Sequence, residues 1–297
     1  MHWWAGAIAF LIGPKAPLVL ERGLRGVFAR NVYDFYKPIG GQSTEYALVN
    51  GQNSVELYLS AVDSTYEVYR QKCHKILGQN RCVADFYSVL FHSPFTKLVQ
   101  KAFGRLVFRD FERNETYTKH WNRTKEVSME ETLSREFSTA AMQFSQPLME
   151  HKLNAHLEFN KRLGNMYTPS VYAQLINLIY NNPTVDALNN QKVLVFSYGS
   201  GCIAAMYSLK IDTSSAYQQH SYLQMVGSAQ RAHRRLHQRV KQSPRQFAQA
   251  LMNRQALIAI KGAYTPISSA KQTYFPGAYY LREIDEKACR SYGKVEK

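Results

Sequence analysis

The segment spanning residues 91–101 combines residue types that could bind a large anion and polarise a carbonyl group. His92 follows an apolar run, and Pro94 two residues later is suited to begin a helix. On that helix Lys97 and Lys101 stand four residues apart and therefore share one face. An imidazole beside a helix N-terminus and two ammonium groups favours an anionic ligand with one reactive carbonyl. A surface helix with two solvated lysines and a chance histidine explains the pattern equally well.

Two glycine-containing segments add candidate ligand contacts. Asn165 directly precedes a predicted helix, and its side-chain amide can donate and accept hydrogen bonds at the same time. Ser200 lies between two glycines at a predicted strand turn, where small residues let backbone amides approach a ligand. The structural alternatives are a helix N-terminal turn capped by Thr168 and a tight hairpin. The turn at Ser200 carries neither the dinucleotide-binding fingerprint nor the nucleophile elbow.

The composition indicates a folded protein that prefers anionic partners. The chain has 297 residues, of which 45% are hydrophobic, so there is ample material for a core. It carries 37 Lys and Arg against 22 Asp and Glu, a formal net charge of +15. The four cysteines lie far apart without metal-ligand spacing, which favours a reduced compartment and argues against a metal site. Cys202 is interpreted as a small buried hydrophobe rather than a nucleophile.

Two segments invite other partner classes that the sequence does not support. Residues 231–241 form the densest basic run, which nucleic acid or an acidic membrane could contact. Because its apolar positions are sparse and no nucleic-acid-binding motif accompanies it, we interpret it as a solvated helix face. The apolar run at residues 5–12 lacks the charged flank of a signal peptide and is too short to span a bilayer. It is predicted to be a buried strand. We therefore expect neither nucleic acid nor a membrane as partner.

Strands that alternate with long helices predict an α/β protein. The predicted strands cover residues 5–12, 18–25, 85–91, 192–198, 203–210 and 277–284, with the fourth and fifth antiparallel. The predicted helices cover residues 54–77 with Ser54 as N-cap, 94–109, 130–142 with Pro147 as a stop, 168–180, 221–240 and 244–260. Residues 112–135 are predicted to be polar and exposed.

Seven segments, in order, resemble hydroxymethylglutaryl-CoA synthase, a family of the thiolase superfamily. These segments are residues 5–26, 33–38, 58–69, 91–103, 164–172, 195–210 and 275–287. The resemblance runs from residue 5 to the C-terminal end and is loose over residues 112–163. It implies a thiolase-type α/β fold of layered helices and mixed sheets. Residues 1–50 would be the end of the first thiolase-like half, and residues 51–297 the second half.

The resemblance also implies an activity and a set of site residues. The family condenses acetyl-CoA with acetoacetyl-CoA to 3-hydroxy-3-methylglutaryl-CoA, which feeds mevalonate and isoprenoid synthesis or ketone-body formation. His92 falls on the active-site histidine that polarises the acetoacetyl carbonyl. The positions that the resemblance assigns to substrate or coenzyme A binding are Ser54, Lys97, Lys101, Asn165 and Ser200, and Asp34 and Tyr36 lie in a further active-site segment.

The chain departs from the family pattern in ways that bear on activity. The family's acylated cysteine and catalytic glutamate lie upstream of the segment that matches residues 5–12, and none of the four cysteines has the nucleophile's context. Thr96 stands where the family commonly has cysteine, and residues 39–43 resemble a two-residue enlargement. We therefore predict a synthase chain without most of its first half, inactive on its own. The alternative is a non-catalytic remnant that binds coenzyme A or a partner.

The remaining expectations concern cofactors, assembly and location. The resemblance implies coenzyme A thioesters as substrates, with no metal or redox cofactor. It implies a homodimer for the intact family. A cytoplasmic location is expected, with a mitochondrial one as the alternative.

Overall fold

The computed structural model describes residues 6–36, 47–113, 131–258, 262–266 and 275–296. The chain divides into two compact units, Met1–His237 and Gln238–Lys297. The predicted boundary at residue 50 concerns the halves of the family fold rather than compact units, and it stays a prediction.

A four-stranded mixed sheet forms the centre of the first unit. The strands of this unit are β1 (Leu18–Ala29), β2 (Phe35–Tyr36), β3 (Leu48–Val49), β4 (Ser88–Phe91), β5 (Lys192–Gly199) and β6 (Ile203–Ile211). The sheet order is β1-β6-β5-β4, with β4 parallel to β5 and β6 antiparallel to both of its neighbours. Strands β1, β4 and β5 therefore end at the same edge of the sheet, while β2 and β3 pair separately.

Helices cover both faces of this sheet. The helices of the first unit are α1 (Gly51–Leu77), α2 (Thr96–Glu112), α3 (Arg135–Phe144), α4 (Gln146–Lys152), α5 (Glu158–Leu163), α6 (Pro169–Asn181) and α7 (Ala216–His237). Alternate residues of a strand point to opposite faces. Leu194 and Phe196 accordingly pack in a core with α1 and α2, and Val193 and Val195 in a second core with α6 and α7. The predicted α/β architecture is confirmed.

Helix α1 begins earlier than predicted. The Asn50 side chain accepts a hydrogen bond from the Asn53 amide and caps the helix, and Gly78 in a left-handed conformation ends it. Ser54, predicted as the N-cap, lies one turn inside the helix. Asparagine and serine are comparable caps, so the sequence alone offered two starting points one turn apart.

A further local prediction, the strand at residues 5–12, was wrong. Residues 6–13 form no strand, and Leu11 and Ile12 are 99% and 91% exposed. An apolar run becomes a strand only where a neighbouring strand takes up its backbone hydrogen bonds, and none of the described strands pairs with this run. Helix α3 ends at Phe144, before Pro147 as predicted, but Pro147 also lies in the first turn of a further helix, α4, which was not predicted. Residues 114–130, most of the predicted exposed segment, lie outside the described residues.

The second unit contains helix α8 (Pro244–Ile258) and the hairpin strands β7 (Tyr279–Ile284) and β8 (Arg290–Lys294). The late strand predicted at residues 277–284 is confirmed, whereas its partner was not predicted. Within the described part of the chain, no helix has both the length and the apolarity needed to cross a membrane.

Candidate functional site

His92 lies directly after β4, at the edge where three strands of the sheet end. Its backbone amide donates to the Phe196 carbonyl at 2.8 Å, and its own carbonyl accepts from the Tyr58 hydroxyl at 2.6 Å. Strand β5 and helix α1 therefore fix both polar backbone groups of this residue. The position of the imidazole is set by the sheet and the first helix together.

The surroundings of the His92 ring keep it neutral. The ring stacks on Tyr198, with the two centroids 6.5 Å apart and the planes inclined by 21°. Burial lowers the pKa of His92 to about 4, although a hydrogen bond to the backbone of Tyr167 opposes the shift. At neutral pH the imidazole therefore carries one donor and one acceptor nitrogen.

The segment containing Asn165 forms a tight turn against this ring. Tyr167 adopts a left-handed conformation with φ of +57°. The Asn165 side-chain oxygen accepts from the Tyr167 amide at 2.7 Å and from the Ser170 hydroxyl at 3.3 Å. The amide nitrogen of Asn165 has no hydrogen-bond partner among the described residues, so the side chain supports the turn and keeps a donor for a ligand.

The turn that carries Ser200 is held by Asp34. The buried Asp34 carboxylate accepts from the Gly201 amide at 2.9 Å and from the Tyr198 hydroxyl at 3.1 Å. Burial, with Cys202 and Asp34 nearby, raises the pKa of Tyr198, so its hydroxyl remains a donor. The Asp34 carbonyl also accepts from the Asn50 amide at 2.8 Å, which ties this turn to the start of α1.

The structure brings most of the predicted site residues to one edge of the sheet. Tyr58, which binds the His92 carbonyl, lies four residues after Ser54 on the same face of α1. Tyr198, which stacks on His92, lies two residues before the exposed Ser200. Asp34 is linked to the His92 ring through Tyr198, and Asn165 through Tyr167, whereas no contact of Ser54 or Ser200 with the ring is described.

Lys97 and Lys101 lie in the first two turns of α2, which follows His92. Lys97 is exposed and Lys101 partly exposed, and neither forms an ion pair or hydrogen bond with a described residue. No side chain caps α2 at Phe95. Two ammonium groups and the amides of an uncapped helix start together suit a phosphate group. The structure describes no contact between either lysine and the His92 ring.

Tyr36 is less closely connected to the site. It lies in β2, is 38% exposed, and its ring contacts Tyr33 at a centroid distance of 5.5 Å. Its link to His92 runs only through Asp34, two residues earlier in the chain. Residues 37–46, which follow it, lie outside the described part.

The sequence of this chain matches a known protein family. The sequence profile described as "Hydroxymethylglutaryl-coenzyme A synthase C terminal" matches residues 18–295. This chain belongs to the hydroxymethylglutaryl-CoA synthase family. The family assignment made from the seven segments and the thiolase-like fold are thereby confirmed.

Named relatives show how much of the family's length this chain represents. It is 36% identical to the mitochondrial hydroxymethylglutaryl-CoA synthase of Rattus norvegicus, over 98% of this chain and 58% of the relative. It is 37% identical to the cytoplasmic enzyme of Gallus gallus, over 98% of this chain and 57% of the relative. A solved structure of MvaS in complex with 3-hydroxy-3-methylglutaryl coenzyme A is similar, with a TM-score of 0.64. That likeness has 26% identity and covers 94% of this chain and 58% of that one. The chain thus spans a little under three fifths of the length of these relatives.

Three tyrosines that support the family site were missed by the sequence analysis. Tyr58 holds the His92 carbonyl, Tyr198 stacks on the ring, and the Tyr167 backbone bonds to it. Each lies within or beside a segment that was singled out, but its contact joins positions far apart in the chain. The only sequence signal was an aromatic residue beside each candidate, which is not specific.

None of the cysteines in the first unit has the lowered thiol pKa that a nucleophile needs. Cys73 and Cys202 are buried, and Cys82 is partly buried. Burial is the main cause that raises the pKa of all three thiols. The interpretation of Cys202 as a buried hydrophobe is confirmed. Among the described residues, no cluster of three or more His, Cys, Asp or Glu is arranged to hold a metal ion.

A cavity of about 310 Å³ lies apart from this site, between α1 and α2. Its lining residues are Asp63, Ser64, Tyr66, Glu67, Arg109 and Arg113. The Arg109 guanidinium pairs with the Asp63 carboxylate at 2.9 Å, and Arg113 pairs with Glu67. Because these charges neutralise one another, the cavity is a weaker candidate for an anionic ligand than the edge at His92.

Proposed function

We propose that this chain forms the acyl-CoA-binding part of a hydroxymethylglutaryl-CoA synthase, which condenses acetyl-CoA with acetoacetyl-CoA to 3-hydroxy-3-methylglutaryl-CoA. The observation that carries the proposal is the convergence on His92 of the segments containing Asn165 and Ser200. These segments come from distant parts of a chain that belongs to this family. Because its backbone amide and carbonyl are both hydrogen-bonded, His92 is held in a fixed position. This suits its side chain to act on the carbonyl group of a ligand.

In the proposed mechanism the neutral His92 ring, which has a single N–H, releases its hydrogen bond to the Tyr167 backbone and donates that N–H to the acetoacetyl ketone. As the new carbon–carbon bond forms, the ketone oxygen gains negative charge, and a positioned donor stabilises that charge. One such donor is worth about 3 kcal/mol of the activation barrier. The Asn165 amide would donate to a second acyl oxygen, and Ser54 and Ser200 would contact the substrate or the coenzyme.

The coenzyme A phosphates would lie at the start of α2. Lys97 and Lys101 supply charge-assisted hydrogen bonds there, and the uncapped amides of the helix add to the positive potential. Because both lysines are at least partly exposed, this part of the affinity should fall as the salt concentration rises.

A second candidate is a chain that binds acyl-CoA without catalysing the condensation. It is favoured by the raised pKa values of Cys73, Cys82 and Cys202, because covalent acyl transfer needs an activated thiolate. Both candidates use the same binding site. They differ in whether this 297-residue chain alone can be acylated and turn over.

Isothermal titration of the 297-residue chain with acetoacetyl-CoA tests the site shared by both candidates. We expect the binding to weaken about tenfold in His92→Ala and at least as much in the double variant Lys97→Gln/Lys101→Gln. The salt dependence should be smaller in the double variant. Lys75→Gln, an exposed lysine in the last turn of α1, is the matched control and should bind normally. Equal affinity of all four proteins would contradict the proposal.

Incubation with acetyl-CoA and acetoacetyl-CoA separates the two candidates. For the isolated chain we expect no mass increase by one acetyl group and no release of coenzyme A thiol. Turnover that disappears in His92→Ala would show that the chain is catalytic by itself. The interpretation of its cysteines as unreactive would then be wrong.

A further inference from the structure

The C-terminal third of the chain has an unusual charge distribution. Residues 213–282 contain ten Lys and Arg and no Asp or Glu over seventy positions. The second compact unit, Gln238–Lys297, holds eleven Lys and Arg against four Asp and Glu. None of the residues assigned to acyl-CoA lies in this region, so its charge calls for a separate explanation.

Helix α8 presents an apolar face within this acid-free stretch. Every described side chain of the helix, residues 244–256, is exposed. Phe247 and Met252 are 57% and 63% exposed, and Leu251 is 37% exposed. At 3.6 residues per turn these three side chains fall within an arc of about 140°. A surface helix of a folded domain normally buries such a face.

Arginines border this apolar face on both sides. Arg245 lies seven residues before Met252, and Arg254 lies seven residues after Phe247. Seven residues make nearly two turns, so each arginine stands beside one margin of the arc. The opposite side of α8 carries Gln246, Gln249 and Asn253, which are polar and uncharged, and one polar residue, Gln255, stands within the arc between Leu251 and Met252.

We propose that α8 docks on an anionic lipid surface and lies in the plane of the headgroups. The apolar side chains would enter the boundary between headgroups and acyl chains. Arg245 would extend from its margin toward the lipid phosphates. Fifteen residues of helix reach only about 22 Å, so the helix is too short to cross a bilayer and lies on its surface.

The charge distribution distinguishes lipid from the other occupants of this face. A second copy of α8 would bring arginines together without a carboxylate on either helix. Nucleic acid would satisfy the arginines but leave Phe247, Leu251 and Met252 in water. An anionic bilayer would attract the arginines and also bury the apolar side chains. This surface contact differs from the sequence-based expectation of no membrane partner, which rested on the absence of a spanning segment and on the interpretation of residues 231–241 as a solvated face.

Co-sedimentation of the full chain with vesicles tests the proposal. One set of vesicles is phosphatidylcholine alone, and the other contains about one quarter phosphatidylserine. We expect binding to the anionic set only, and its loss at high salt. The variant Phe247→Gln/Leu251→Gln should bind the anionic set at least about tenfold more weakly. Arg245→Gln should weaken binding by a smaller factor.

The matched control is Phe275→Gln, an exposed phenylalanine of the same unit outside α8. It should bind like the unaltered chain. Because the altered side chains of α8 are exposed, all variants should retain the circular dichroism spectrum. Four results would overturn the proposal: equal binding to neutral vesicles, unchanged binding of the double variant, an equal loss in Phe275→Gln, or self-association or an RNA shift through α8 without vesicle binding.

Discussion

At the scale of single residues, the chemistry of His92 follows from its burial. Its ring lies against Tyr198 and bonds to the Tyr167 backbone, while its main-chain groups are held by Phe196 and Tyr58. An imidazole in this environment stays neutral where a solvated one would gain a proton. The ring in this neutral form has a single N–H, so it can donate to one acceptor at a time.

The first prediction concerns the titration of that ring. In an NMR titration of the carbon-bound imidazole protons, assigned with a His92→Gln variant, the His92 signal should shift with a midpoint near pH 4. The physical reason is that burial penalises the imidazolium. A midpoint close to the ordinary value of 6.5 would mean that the ring is solvated, and the proposed donor geometry would be wrong.

Several residues of the site could be predicted from the sequence, whereas the residues that hold them in place could not. His92 and Asn165 stand out because of their neighbours in the chain, a strand end and a helix start. The Tyr58 bond to His92 and the Asp34 bonds to the turn at Gly201 join segments 34 and 167 positions apart. No periodicity or local motif encodes such pairings, so they appear only in the folded chain.

At the scale of elements, the close approach of α1 to β1 places the start of α1 beside the site. A Cβ atom added to Gly26 would stand 2.0 Å from the Thr65 carbonyl oxygen and 3.0 Å from the Tyr69 amide nitrogen. Both clashes are with helix backbone, which cannot rotate away as a side chain can. The glycine therefore permits the contact between strand and helix.

The second prediction tests this contact. Gly26→Ala should lower the free energy of unfolding by about 3 kcal/mol, because α1 and β1 must separate to admit the methyl group. Urea unfolding monitored by circular dichroism would measure the change. Gly51→Ala is the control, since nothing lies within 4 Å of a Cβ atom at that exposed position. A similar small effect in both variants would contradict the close packing.

Elements with a regular pattern were predicted well, and those that depend on a neighbour were not. Strands β5 and β6 and helix α6 lie within one or two residues of their predicted bounds. The predicted strand at residues 5–12 failed because an apolar run does not specify where its hydrogen bonds go. Helix α4 was not predicted because proline occurs both after the end of a helix and in the first turn of one, and the neighbours of Pro147 do not distinguish the two.

At the scale of the whole molecule, buried histidines couple stability to pH. His156 is 2% exposed, and its Nε2 lies 2.8 Å from the Ser88 hydroxyl. Burial lowers the pKa of His156 to about 4, below the value of 6.5 expected for the unfolded chain. Below pH 6.5 the unfolded chain binds a proton that the folded chain does not, so stability falls until about pH 4.

The third prediction concerns the loss of stability as the pH falls. Between pH 7 and pH 4, His156 should reduce the free energy of unfolding by about 3 kcal/mol. Urea unfolding across this range should show a flatter pH dependence for His156→Gln, whatever its stability at pH 7. The His92 ring contributes in the same direction and remains in both proteins. Parallel pH profiles for the two proteins would show that His156 is not shielded from protonation.

Assembly and location are also properties of the whole molecule. The homodimer, the cytoplasmic location and the absence of a cofactor remain predictions from the family resemblance. Curated relatives include a mitochondrial enzyme and a cytoplasmic one, so membership of the family does not choose between the two compartments.

The most direct test of the acyl-CoA site is a crystal structure of this protein with acetoacetyl-CoA bound. We expect the ketone oxygen within hydrogen-bond distance of the His92 ring, beside Asn165 and the turn at Ser200. We expect the coenzyme phosphates next to Lys97 and Lys101. A ligand bound elsewhere, such as in the cavity lined by Asp63 and Arg109, with the His92 edge empty, would contradict it.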